Sequence, residues 1–180
     1  MVDFFAMVKK KGKKVPLGAL LVVAGLLLAA TAAYYLFTVE PPPAANLVRI
    51  YFFSGDKLIP VPRPLAPTTA PLKQAIMELL GGPLPDETEQ GVKTLVPAGT
   101  RLLHLYVKNG VAILNFNRKL ENYGGGTDRI KGVIAQIVYT ATEVAGVEKA
   151  WIWIEGNKEL VLGGEGLVLD KPLGRADLRR

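Results

Sequence analysis

Residues 15–39 carry no charge, and leucine, valine and alanine dominate the run. About 20 helical residues, at roughly 1.5 Å each, cross a hydrocarbon core of about 30 Å. The length therefore predicts a transmembrane helix over 15–39, because backbone groups in lipid must be satisfied internally. Lys9, Lys10, Lys11, Lys13 and Lys14 precede the run, and Tyr34, Tyr35 and Phe37 lie near its far end. A basic flank stays in the cytoplasm and aromatic side chains favour the interface. The expected order is a basic cytoplasmic segment over 1–14, a signal anchor over 15–39 and a proline-rich spacer over 40–46. An extracytoplasmic domain over 47–180 completes a single-pass membrane protein. The lysines would hold anionic headgroups at the inner leaflet. Cleavage as a signal peptide among Ala29, Ala30, Ala32 and Ala33 is the alternative.

After the spacer the pattern changes to short alternations. Val48, Ile50 and Phe52 share one face of a strand over 47–53, and 54–57 reads as a turn. Pro60, Pro62 and Pro64 follow at a spacing of two, which confines their segment to a sheet edge. Leu72, Ala75, Ile76, Leu79 and Leu80 form a helical stripe that starts near Pro71, with Thr68 or Thr69 placed to cap it. Gly81-Gly82-Pro83 stops that helix, and Asp86, Glu87 and Glu89 follow as an acidic surface connection. Segments 102–108 and 111–117 flank Asn109-Gly110, the favoured two-residue hairpin turn. That register sets Val107, Leu105 and Leu103 opposite Ala112, Leu114 and Phe116. A second helix is capped by Thr127 and carries the stripe Ile130, Val133, Ile134, Ile137, Val138 and Ala141, ending near Ala145-Gly146. Trp151-Ile152-Trp153-Ile154 is a further strand, and the tail is irregular or edge structure. The class is α+β: a small mixed or antiparallel sheet with two helices packed on one face, preceded by one N-terminal transmembrane helix.

Charge sharpens this division. Of the net charge of +6, residues 1–14 hold +4, from five lysines and one aspartate, and 40–180 hold 17 basic and 15 acidic groups. The basic excess lies beside the apolar run, so no nucleic-acid surface is expected. The chain has no cysteine, which excludes thiol catalysis, disulfides and thiolate metal sites. His104 is the one histidine. It falls mid-strand with no nucleophile elbow around Ser54, so it reads as a surface residue. Asp86, Glu87 and Glu89 lie in an apparent loop, not across a cleft as a glycosidase needs. Gly124-Gly125-Gly126 precedes a helix but lacks the lysine and spacing of a nucleotide loop. No catalytic residue, metal site or cofactor is expected.

Trp151 and Trp153 share a strand face opposite Ile152 and Ile154. With Tyr106 they form a candidate platform for a ligand or partner. The alternative is that the tail, with Leu160, Val161, Leu162, Leu167, Val168 and Leu169, folds over them. The second helix and the tryptophan face are the better interfaces, and the proline-rich edge a poor one.

The stretch from Val48 to Leu178 resembles the GerMN domain, the sporulation and spore-germination domain of bacterial envelope proteins. The matching pieces are Ile50-Tyr51-Phe52, Leu58-Ile59-Pro60-Val61-Pro62-Arg63 and Glu78-Leu79-Leu80-Gly81-Gly82-Pro83. The run from Gly91 to Leu103 also matches, as do Val107-Lys108-Asn109-Gly110-Val111-Ala112, the run from Ala135 to Glu143 and Pro172-Leu173-Gly174-Arg175-Ala176-Asp177-Leu178. The resemblance implies a fold like ring-building modules and so protein–protein contact, with no established catalytic residues. This chain departs from the best-known member in having one such domain and no lipid-attachment cysteine. The expected function is a non-enzymatic, membrane-anchored assembly module in the cell envelope, in sporulation or germination. Its partners are envelope proteins or other copies of itself. A peptidoglycan-binding module that positions a hydrolase, and a cell-wall hydrolase, are the alternatives.

Overall fold

The computed structural model describes residues 17–38, 46–66, 70–162 and 167–178. The chain divides into two compact units, Met1–Ala44 and Ala45–Arg180. In the first, helix α1 covers Leu17–Thr38. Within α1 the Thr31 hydroxyl donates to the Leu27 and Leu28 carbonyls. Among the described residues no helix is long and apolar enough to cross a membrane. The expected transmembrane helix over 15–39 is corrected on this finding. The single-pass topology, the membrane partner and the anchored form of the function go with it. The basic segment 1–14 and nearly all of the spacer 40–46 lie outside the described residues.

Among the described residues the buried core, from Val48 to Leu169, lies in the second unit. Strand β1 (Asn46–Ser54) turns through Gly55 and Asp56 into β2 (Lys57–Leu65), and Val48, Ile50 and Phe52 are buried as the alternation requires. Pro60, Pro62 and Pro64 stand opposite Tyr51, Arg49 and Leu47. Proline has no N–H, so these cannot be mutually hydrogen-bonded pairs, and the missing donors point out of the sheet. The order β2-β1-β3, with β3 at Val92–Lys93, puts β2 at the edge.

By the same alternation Tyr51 turns its backbone groups away from β2. Helix α4 (Thr127–Ala141) receives them. Its expected apolar stripe is buried, and so are Gln136 and Thr140, both 0% exposed. The Tyr51 N–H donates to Thr140 Oγ1 at 3.0 Å, and Gln136 Nε2 donates to the Tyr51 carbonyl at 3.0 Å. Gln136 Oε1 accepts from the Leu95 N–H at 2.7 Å. Helix side chains thus satisfy backbone groups that β3, only two residues long, leaves unpaired.

The second sheet has the order β4-β5-β6: Leu102–Lys108, Val111–Phe116 and Lys149–Ile154. The β4–β5 hairpin turns on Asn109 (φ 52°) and Gly110 (φ 75°). The pairs Val107–Ala112 and Leu105–Leu114 are as expected. Phe116, however, pairs with Leu102 instead of Leu103, because a bulge between Leu102 and His104 takes up one residue. Strand β6 runs parallel to β5, with α4 in the crossover between them. The outer side of β6 is taken at both ends. Ala150 exchanges two backbone hydrogen bonds with Leu173, and Ile154 two with Asn157.

Helix α2 covers Pro71–Gly81, with Ala70 at the N-cap and Pro71 first in the helix. Thr68 and Thr69 lie outside the described residues. Gly126, not Thr127, occupies the N-cap of α4, and α4 ends at Ala141, short of the expected glycine. The acidic connection is a short helix, α3 (Pro85–Glu89). The tail is a hairpin of β7 (Leu160–Leu162) and β8 (Leu167–Leu169). The unit is a small mixed α+β domain built on two three-stranded sheets, not one.

Candidate functional site

Register places nine side chains on the face of β4-β5-β6 away from α4. They are His104, Tyr106 and Lys108, then Val111, Ile113 and Asn115, then Lys149, Trp151 and Trp153. The sequence-predicted residues Tyr106, Trp151 and Trp153 are brought together. Trp151 and Trp153 meet edge to face at 5.5 Å between ring centroids, and Tyr106 meets Trp153 at 6.3 Å. Tyr106 is 48% exposed, while both tryptophans are half-buried. Between them Ile113 and Asn115 are buried, and Asn115 Oδ1 accepts from the Gly156 N–H at 2.9 Å.

The tail does not cover them. Leu160, Leu162 and Leu169 join the core that holds Ile152 and Ile154, the opposite face of β6. The Trp151 indole N–H donates to the Lys158 carbonyl at 3.3 Å. The Trp153 indole N–H is buried with no acceptor among the described residues. The Lys158 ammonium stands 5.0 Å from the Trp153 ring centroid, a cation–π contact. The indoles therefore offer ring surface, and the donors of this face are its flanking side chains, Lys108 and Lys149 among them. Helix α4, the other expected interface, is largely buried beyond its first turns.

Two ion clusters were not legible in the sequence. Arg63, from the proline-rich edge, is 6% exposed. Its two terminal nitrogens donate to Glu87 at 2.5 and 2.6 Å, and Glu78 lies 3.7 Å from its Nε. Glu87 is thus a buried-cation partner rather than part of a solvated loop. The Arg63 hydrogen bond holds its carboxyl below the ordinary 4.5, against the opposing effect of burial. The second cluster is centred on Glu143, which accepts from Arg49, from Tyr51 Oη at 3.1 Å and from Arg175 at 2.7 Å. The Arg175 guanidinium also reaches Thr142 and the Tyr139 carbonyl, and lies over the Tyr51 and Tyr139 rings. Burial alone would raise Glu143; hydrogen bonds from Arg175, Arg49 and Tyr51 outweigh it and lower it from 4.5.

Both carboxylates are depressed in the folded state, so the unfolded chain binds more protons in acid. Their contribution is complete above the unfolded value of 4.5 and is lost as pH falls through the lower folded values. The melting temperature of residues 45–180 is expected to be level from pH 7 to about 5.5 and to drop below about 4.5. An equal melt at pH 7 and pH 3 would contradict this origin.

The family model for "Germane: Sporulation and spore germination" matches residues 49–160. The chain belongs to this family. The chain is 29% identical over 107 residues to the spore germination protein GerM of Bacillus subtilis (strain 168). That match covers 58% of this chain and 28% of that protein. In fold it is similar to the first GerMN domain of Bacillus subtilis GerM, with a TM-score of 0.61 and 23% identity, covering 73% of this chain and 98% of that one. A putative lipoprotein from Clostridium perfringens shares the fold at a TM-score of 0.51 and 17% identity, covering 77% and 94%. The chain has no cysteine, and no group of three His, Cys, Asp or Glu side chains among the described residues is placed to hold a metal. His104 and Ser54 belong to different sheets.

Proposed function

We propose that this germination domain is a protein–protein contact module for sporulation or spore germination, and that one partner is a second copy of itself. The observation that carries the reading is the open aromatic face. Tyr106, Trp151 and Trp153 present ring surface on the face of β4-β5-β6 away from α4, which no described element of the domain covers, and neither indole N–H is free for a sugar hydroxyl. Aromatic ring surface flanked by charged side chains suits a protein contact. The solved tandem GerMN domains of Bacillus subtilis GerM, similar in fold at a TM-score of 0.62 and 23% identity, carry two such domains in one chain. Light scattering on residues 45–180 across a concentration series tests self-association. The expected result is a mass rising from one chain to at least two; a single-chain mass up to about 1 mM, a dissociation constant worth only about 4 kcal/mol, overturns it.

A further inference from the structure

The domain closes several long sheet edges by different devices and leaves β4 open. The outer side of β2 has its donors removed by Pro60, Pro62 and Pro64, and the inner side of β1 is satisfied by Gln136 and Thr140. The outer side of β6 is taken by Leu173 and Asn157. Among the described residues nothing pairs with the outer side of β4. That strand nevertheless carries Leu103, Tyr106 and Val107, at 39%, 48% and 47% exposure. Unprotected edges recruit other strands, and proteins ordinarily blunt them.

The register of a partner is specified. The two-residue turn makes Lys108–Val111 a hydrogen-bonded pair, so Lys108, Tyr106 and His104 spend their backbone groups on β5. Leu105 and Val107 point theirs outward. The bulge at Leu102/His104 ends the regular edge on one side and the turn ends it on the other. An antiparallel strand that uses both outward residues on each side must set Leu105 against Val107, with Tyr106 against Tyr106 on a two-fold axis. In that register Lys108 faces His104, so no two lysines are opposed. Exposed Val107 gains a leucine across the seam. The Tyr106 rings meet at a pair that is not hydrogen-bonded, where side chains approach most closely.

We infer that two copies of this domain pair through β4, antiparallel about Tyr106, into one continuous six-stranded sheet. The Trp153–Tyr106 contact of each copy then runs on into its mate, merging the two aromatic faces. The inference rests on the proposed self-association and deepens it by naming the edge.

The absence of cysteine supplies the test. Tyr106→Cys in residues 45–180 introduces a single thiol. Facing residues of such a pair have Cα atoms about 4.5 Å apart, inside the range of about 4.4–6.8 Å that a disulfide accepts. Under mild oxidation the Tyr106→Cys chains are expected to cross-link at least about tenfold faster than a Lys108→Cys control, since cross-linking follows the fraction of thiols in reach. A second variant, Val107→Pro, transfers to β4 the device used on β2. It removes an outward N–H and leaves the pairing with β5 intact. It should weaken the dimer by about tenfold or more, two backbone bonds being lost per dimer, with an unchanged circular dichroism spectrum. A domain that associates while Tyr106→Cys cross-links no faster than the control, or while Val107→Pro associates as well as the parent, overturns the edge and leaves self-association standing. A single-chain mass at every concentration overturns both.

Discussion

Replacing Gln136 with leucine is expected to destabilise the domain by about 3 kcal/mol, although the two side chains are similar in size. Gln136 is fully buried and joins three segments at once: α4, the Tyr51 carbonyl of β1 and the Leu95 N–H after β3. It also lies 3.3 Å from Thr94 Oγ1. Leucine would satisfy the packing and leave a carbonyl and an N–H without partners, each costing about 1–3 kcal/mol. Thr140→Val removes the acceptor of a single N–H and should cost less, about 1–2 kcal/mol. Urea denaturation of residues 45–180 measures both. A loss below about 1 kcal/mol for Gln136→Leu would mean that water or a shifted backbone replaces the side chain.

The second large effect concerns Arg63. Its side chain is 7% exposed and that of Glu87 19%, so Glu87→Leu strands a guanidinium with only the more distant Glu78 near it. Breaking a buried pair from one side costs about 3–5 kcal/mol, whereas replacing both partners by apolar groups is often close to neutral. The double change Arg63→Met with Glu87→Leu is therefore expected to recover at least half of the loss from Glu87→Leu. Part of Arg63 already behaves as an apolar residue, its guanidinium lying 6.0 Å from the Phe52 ring centroid, and methionine can occupy that place. A double variant as unstable as the sum of the two single changes would show that the pair contributes by more than mutual neutralisation.

What could be read from the sequence was what repeats. The β1 alternation, the stripes of α2 and α4 and the Asn109-Gly110 turn are periodic or local signals, and each appears where its pattern requires. Pro60, Pro62 and Pro64 located an edge because a missing N–H has one consequence in any sheet. The bulge was not legible: Leu103 fits the alternation as well as Leu102 does, and only the three-dimensional path of the strand chooses between them. Gln136 and Thr140 were invisible for another reason. A polar residue among apolar ones marks a break in a stripe unless its distant backbone partner is known, and Tyr51 lies 85 and 89 positions away from them. Glu87 looked like its acidic neighbours until Arg63 was placed beside it. The parallel course of β6 likewise depends on a crossover that no local pattern specifies. Of the aromatic platform, the sequence supplied the three residues and their common face, but not that the tail would pack on the other side.

The short contact between Ala150 and Leu173 has a bearing on valence. A sheet with one open side can join once and then stop, giving a closed pair. A chain cut before Leu173 would free the N–H and carbonyl of Ala150 and present a second open side on the far strand. Such a unit is bivalent, and repeated head-to-tail addition of a bivalent unit has no natural end point. The last few residues would then decide whether this domain makes a discrete assembly or an unlimited one.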